Sequence, residues 1–286
     1  MSKKKLGRVI LLAAQKGGVN KTSTIINMSS VSHYEGNKKL VVVDLDVQRS
    51  TLKWDQVFRT SAVVKAVDSF FPAVTDVPEG FTLETLLEYL RPNFDEIYLD
   101  TAGYIGDKTG EAKRILEEAI PLADFIITPV RVGRFDVESA FETMEFINDV
   151  IEENGKKDIT RVLLASDVRG GARTISYLKN DLLSLRMDEF KDTWTLLESY
   201  IPSSTVVVKN IDKGGSAFLP VRVTPVITAT ISAYREMLNI GGVKSREQSE
   251  KEILSGLTEK LAVLRNNAKK ETLESNDSSD DEESGE

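Results

Sequence analysis

An apolar run, Val9 to Leu12, leads directly into Ala13-Ala14-Gln15-Lys16-Gly17-Gly18-Val19-Asn20-Lys21-Thr22-Ser23, and a helical pattern starts immediately behind it. Strand, glycine-rich loop, Lys-Thr and helix in that order form a phosphate-binding turn. Glycines let consecutive backbone N–H groups converge on phosphate oxygens, and the helix N-terminus adds its dipole. Lys21 is placed to reach the β- and γ-phosphates and the Thr22 hydroxyl to ligate Mg²⁺. The common spacing G-x-x-x-x-G-K-[ST] fails, because its glycine positions hold Gln15 and Asn20. The variant K-G-G-x-x-K-[ST] fits, with an extra lysine at Lys16. Five specified residues at fixed spacing arise by chance about once per million windows.

Two acidic motifs follow. Val43-Asp44-Leu45-Asp46-Val47-Gln48-Arg49-Ser50 closes a second apolar run, and Ile97-Tyr98-Leu99-Asp100-Thr101-Ala102-Gly103 closes another. Carboxylates at the C-terminal ends of parallel strands face the same crevice as the phosphate loop. Asp100 is placed to hold Mg²⁺ through water.

The K-G-G-x-x-K-T loop with Lys16, followed by D-x-D-x-Q, resembles the deviant Walker A family that includes ParA partition ATPases and MinD-like proteins. In that family the lysine at the Lys16 position reaches across a nucleotide-sandwich dimer to the partner's ATP. Asn20 replaces the usual glycine, and asparagine is the next most tolerant residue for a left-handed backbone. Val47 replaces the usual proline. The resemblance implies ATP contacts from Lys16, Gly17, Gly18, Val19, Asn20, Lys21, Thr22 and Ser23, with Asp167 near the base. It implies catalytic roles for Lys16, Lys21 and Asp46, the last acting on the attacking water. Magnesium would be held by Thr22, Asp44 and Asp100. It spans residues 6–240 and is densest in the first 105.

Apolar runs at Val9–Leu12, Leu40–Val43, Ile97–Leu99, Phe125–Ile127, Val162–Leu164 and Tyr200–Ile201 alternate with helical patterns, such as Ala140, Met144, Ile147 and Ile151. Leu178, Leu182 and Leu185 recur at helical spacing further on. Continuous apolar strands are those buried on both faces. The expected fold is α/β: one P-loop NTPase domain with a doubly wound, mostly parallel sheet flanked by helices. Its span is 1–267, with C-terminal helices over 225–267, and 268–286 is an expected disordered acidic tail. The sequence has no cysteine and a single histidine, His33, which removes disulfides, thiolate metal sites and cysteine-ligated clusters. His33 and Trp54 read as ordinary helix-surface and packing residues.

The net charge of −8 belongs to the tail, since residues 271–286 hold eight acids and no base. Without them 37 acids face 37 bases, so a neutral body can carry a local basic face. No apolar run approaches the roughly 18 residues of a membrane span. Ile253, Leu254, Leu257, Leu261 and Leu264 form a stripe that reads as a packing helix, and no stable membrane association is expected. Absent cysteines, a missing C-terminal tyrosine cluster and a phosphate loop beginning at residue 16 point, within the resemblance, to a short ParA type without an N-terminal helix-turn-helix. That type implies ATP/ADP and Mg²⁺ as cofactors and an ATP-dependent homodimer. It also implies non-specific double-stranded DNA, a ParB-type centromere-binding partner, and a cytoplasmic location on the nucleoid when ATP-bound. Candidate DNA-facing bases are Lys179, Arg186, Lys209, Lys213, Arg222, Arg235, Lys244 and Arg246. The loop Arg169-Gly170-Gly171-Ala172-Arg173 borders the base pocket or the DNA face, or simply turns into the next helix. Alternatives are a MinD-like positioning ATPase, a metabolic ligase of the dethiobiotin synthetase kind, and a non-hydrolysing nucleotide switch.

Overall fold

The computed structural model describes residues 6–36, 38–60, 72–103, 110–156, 158–184, 186–212, 216 and 225–243. The expected helix at 246–264 and the acidic tail lie outside them. Seven strands form one sheet: β1 (Arg8–Leu12), β2 (Leu40–Asp44), β3 (Ala73–Thr75), β4 (Glu96–Asp100), β5 (Phe125–Val130), β6 (Thr160–Val168) and β7 (Thr195–Pro202). Their order is β3-β2-β4-β1-β5-β6-β7, and every pairing is parallel. The helices are α1 (Lys21–Gly36), α2 (Ser50–Thr60), α3 (Leu83–Leu90), α4 (Glu111–Ala119), α5 (Arg134–Glu153), α6 (Ala172–Tyr177), α7 (Thr205–Ile211) and α8 (Pro225–Ile240).

Period-two alternation sends Val9, Leu11 and Ala13 of the first strand and its exit into the layer formed with α3, α4 and α5. Ile10 and Leu12 point into the opposite layer with α1 and α8. Both faces of the sheet are therefore covered, which is why its strands read as unbroken apolar runs. Pro129 is tolerated in β5 because the ladder to β1 ends at Leu12 opposite Ile127, two residues earlier. α1 is buried nearly all round yet rich in serine. Ser29 and Ser30 donate to the Ile26 carbonyl at 3.2 and 2.7 Å, and Ser32 donates to Glu96 at 2.6 Å.

Three features differ from the expected pattern. β3 was not anticipated, since its three residues sit on an edge and are exposed or half-buried. β7 is longer than Tyr200–Ile201. It bends through a register shift against β6, where Glu236 of α8 accepts from the Glu198 and Ser199 N–H groups at 2.6 and 2.9 Å. The stretch carrying Leu178 and Leu182 is a π-helical turn, Leu178–Leu183, continuing α6, and Leu185 lies outside the described residues. Trp54 is buried and stacks on Phe58 at 5.4 Å, a packing role.

At the N-terminal end of the sheet, Glu96 is fully buried between Arg8 (2.5 Å), Lys38 (2.9 Å) and the hydroxyls of Ser32, Tyr98 and Tyr234. This cluster joins β1, β4, α1 and α8 at the pole opposite the phosphate loop.

Candidate nucleotide site

β1 is the central strand, so the chain leaving it at Ala13 emerges in the middle of the sheet's C-terminal edge. There the glycine loop runs over to α1. Gly18 and Asn20 both take left-handed backbone, at φ 76° and 65°. Asparagine is among the few residues with a side chain that adopt this conformation readily. Gly103, after β4, abuts the loop: a Cβ there would meet the Gly17 nitrogen at 2.6 Å. Gln15 donates its N–H to the Thr143 hydroxyl of α5 at 3.1 Å, and Ser166 donates to the Val19 carbonyl at 3.3 Å. The loop is thus held from β4, α5 and β6 together.

The two lysines of the motif lie differently. Lys21 is buried, its ammonium donating to the Lys16 carbonyl at 3.4 Å. Burial lowers its pKa, and the nearby Asp100 and Asp46 only partly counter this. Lys16 is 43 % exposed and ion-paired with Asp136 in the first turn of α5 at 2.5 Å.

Asp100 ends β4 with one oxygen accepting from Thr22 at 2.8 Å and from Thr51 at 2.5 Å. Its other oxygen is buried with no hydrogen-bond partner. Burial raises its pKa to about 6, against the pull of the two hydroxyls. A buried carboxylate oxygen without a partner beside a threonine hydroxyl is a hard-oxygen donor set that fits a magnesium ion. Among the described residues no group of three or more Asp, Glu, His or Cys side chains could hold a metal.

Asp44, expected beside magnesium, has both oxygens bonded by backbone N–H groups. Its oxygens accept from the Asp46 and Leu52 N–H groups at 3.0 and 2.8 Å, so it braces the turn into α2. Burial raises its pKa as well. Asp46, half-buried at the rim, accepts from the Gln48 N–H at 2.8 Å and the Ser50 hydroxyl at 3.2 Å. Arg49 carries this turn through φ 53° and pairs with Asp76 at 3.3 Å.

Asp167 ends β6 at φ 53° and pairs with Arg131 at 3.0 Å. It lines a cleft with Asn20, Ser23, Ser204 and Val207, on the side of the loop away from Asp46. Lys16 to Ser23, Asp46, Asp100 and Asp167 therefore share one edge of the sheet. Asp136, Thr51 and Thr143 join them without any local sequence signal, whereas the glycine of Asp100-Thr101-Ala102-Gly103 was a visible one.

Of the expected DNA-facing bases, Lys179, Arg186, Lys209 and Arg235 lie among the described residues. Lys179 is tied to Glu198, and Arg186 to Glu145 and Glu189 while lying over the Phe141 ring. Each of the two therefore already has a carboxylate partner. Arg235 makes an interaction of its own. Lys209 is exposed with no ion pair among the described residues. Lys213, Arg222, Lys244 and Arg246 lie outside the described residues. No described helix is long and apolar enough to cross a membrane.

Residues 7–68 match the family model described as an AAA domain. The chain is 25 % identical over 149 residues to Protein ParA of Rhizobium radiobacter, an alignment covering 52 % of this chain and 60 % of that protein. The fold is that of a plasmid partition protein from Borrelia burgdorferi B31 solved with AMPPNP (TM-score 0.55, 16 % identity, 82 % of this chain and 98 % of that one). It is equally that of the MinD cell division protein of Aquifex aeolicus (TM-score 0.56, 17 % identity, 82 % and 98 %). With its K-G-G-x-x-K-T loop at the centre of an all-parallel seven-stranded sheet, the chain has the P-loop fold shared by these partition and MinD proteins.

Proposed function

We propose that the protein is an ATP-dependent DNA-partition motor. ATP binding drives sandwich dimerisation and non-specific DNA binding, and a ParB-type partner stimulates the hydrolysis to ADP and phosphate that releases it. The observation that carries this reading is the division of labour between the lysines. Lys21 is sunk in the loop, where it suits the phosphates of its own nucleotide. Lys16 stands at the mouth, exposed and held only by a rim ion pair. A second lysine outside the cradle has no use for a monomer's own ATP, but suits a nucleotide presented by a second copy.

Backbone N–H groups from Gly17 to Thr22 donate to the phosphates, and Lys21 neutralises the β- and γ-oxygens. Thr22 and Asp100 would hold magnesium, which would supply charge neutralisation at the phosphates. Asp46 orients the attacking water from the rim, and Asp44 keeps Asp46's turn in place. Asp167 borders the base.

A MinD-like positioning ATPase is the second reading, favoured by a likeness of fold to MinD as close as that to the partition protein. One experiment separates the readings: ATPase rate and self-association with ATP, measured with duplex DNA, with anionic vesicles and with neither, for wild type and Lys16→Ala. ATP-driven dimers that bind DNA, together with loss of hydrolysis in Lys16→Ala, support the partition motor. Binding to vesicles and not DNA favours the MinD-like reading. Normal turnover by Lys16→Ala overturns the trans-lysine argument and favours a P-loop enzyme acting on a small substrate.

A further inference from the structure

We infer that the DNA-phosphate grip is the Arg169–Arg173 loop, together with Lys209 of the neighbouring α7. The inference rests on the DNA reading above and locates it on the molecule.

Most described basic side chains are already matched. Arg8 and Lys38 serve Glu96, Lys16 serves Asp136, and Arg91, Arg114, Arg131, Arg134, Lys179 and Arg186 each face a carboxylate. Arg169 and Arg173 are exposed and make no ion pair among the described residues. Residues 169–180 contain no acid, and neither do residues 199–211, in a chain with 45 acidic residues. The two segments adjoin, since the Ser203 N–H donates to the Val168 carbonyl at 3.0 Å. Together they form a patch on the same edge of the sheet as the phosphate loop, where the bordering acids Asp167 and Glu198 are already paired, with Arg131 and Lys179, and Arg169, Arg173 and Lys209 are left without an ion pair among the described residues.

Its chemistry suits a phosphodiester backbone. Guanidinium groups offer forked donors to phosphate oxygens. Exposed Ser176 and Thr205 add hydroxyl donors, and exposed Tyr177 an aromatic edge of the kind found at nucleic-acid surfaces. The loop holds its form. Gly170 and Gly171 sit at φ 86° and 62°, and the Thr174 hydroxyl closes back on the Arg169 carbonyl at 2.5 Å. The densest run of unshared acids lies elsewhere: Glu138, Glu142, Glu145, Asp149 and Glu152 make an exposed stripe along α5. A DNA duplex is repelled from that face and drawn to this one.

The patch also starts at the nucleotide site. Asp167, immediately before it, lines the cleft beside Asn20, and Ser166 is bonded to the phosphate loop's Val19. A change in the loop on nucleotide binding therefore reaches the grip within three residues.

The test is binding of the full chain, with ATP and magnesium, to a fluorescent mixed-sequence duplex of about 30 base pairs, at salt between about 50 and 200 mM. Arg169→Ala/Arg173→Ala is expected to weaken binding at least tenfold and to flatten the log–log salt slope by about 1.8, two contacts at about 0.9 each. ATPase without DNA stays within about twofold of wild type, and Arg186→Ala, a control for an ion-paired arginine, binds like wild type. The double lysine variant keeps the charge and restores most of the affinity, which a mere folding defect in the alanine variant would not produce. Wild-type affinity and slope in the alanine variant place the grip elsewhere and overturn the inference, leaving the DNA reading intact. Failure of the wild type to bind duplex at any salt overturns the DNA reading itself. Loss of binding to phosphatidylglycerol vesicles without loss of DNA binding overturns the inference in favour of a lipid headgroup.

Discussion

Asp100 is fully buried, with one oxygen shared by two threonine hydroxyls and the other without a partner. Burial lifts its pKa from 3.8 to about 6. The folded chain thus holds this proton more tightly than the unfolded one does. The destabilisation from a charged Asp100 is complete above pH 6 and fades as pH falls toward 3.8. That is at most about 3 kcal/mol at neutral pH. Asp100→Asn is therefore expected to stabilise the nucleotide-free protein by about 1–3 kcal/mol at pH 7.5, by about half that at pH 5, and by little near pH 3.8, in denaturant titrations. It also removes magnesium-dependent nucleotide affinity, and the wild type's affinity should fall as pH drops through 6, where protons compete for the same oxygen. An Asn variant less stable than wild type at pH 7.5 counts against this account. Lys16 poses the complementary case. Its pair with Asp136 is partly exposed, and such pairs contribute up to about 1 kcal/mol. Asp136→Asn is expected to tighten ATP-dependent self-association up to about fivefold in sedimentation, by freeing Lys16 before it crosses to the partner. Weaker association would mean that Asp136 serves the dimer itself. The lysine was legible from spacing alone. Its carboxylate was not, since 120 residues separate them and Asp136 carries no motif of its own.

Strands were legible where burial on both faces leaves an unbroken apolar run, as in Leu40–Asp44 and Phe125–Val130. The signal failed at both edges of the sheet. There β3 contributes three residues, and β7 mixes Thr195, Glu198 and Ser199 into a bent strand whose N–H groups turn to Glu236. At an edge one side of the ladder has no strand, so side-chain acceptors and polar residues replace the apolar pattern. The Glu96 cluster escaped notice for a related reason. A lone glutamate before Ile97 looks like a strand flank, and only the fold brings Arg8, Lys38 and Tyr234 to it. Burial pushes the Glu96 carboxyl up, but Lys38 and Arg8 more than offset this and its pKa falls below 4.5. The stabilisation is therefore present above pH 4.5 and lost as pH falls through the lowered value. Glu96→Gln leaves two cations facing a neutral amide and is expected to cost about 3 kcal/mol in urea unfolding at pH 7. The cost shrinks as pH falls through that lowered value, where wild type loses the same charge. An unchanged midpoint at pH 7 would show that Arg8 and Lys38 find other partners. Nucleotide affinity should hold, because the cluster sits at the far pole of the sheet.

Charge is sorted across the whole molecule, and the tail tips its balance. Residues 1–270 are formally neutral, and the eight acids of 271–286 supply the entire −8. Within the body, the α5 stripe is acidic and the 169–180 and 199–211 segments carry bases only. A neutral body with opposed charged faces favours association of copies, α5 stripe to basic patch, at low salt. The tail's net charge opposes that self-association. Its other effect would be to occupy the basic patch in place of DNA, but that attraction is screened by salt over about 8–10 Å. Deleting residues 271–286 is therefore expected to lower solubility near neutral pH at low salt, and to restore it as salt rises. DNA affinity at about 150 mM salt should change less than twofold. Light scattering of the truncated chain across a salt series checks the first part, and duplex titration of both chains the second. If truncation tightened DNA binding tenfold, and that gain vanished in Arg169→Ala/Arg173→Ala, the tail would be a competitor for the patch rather than a solubilising charge.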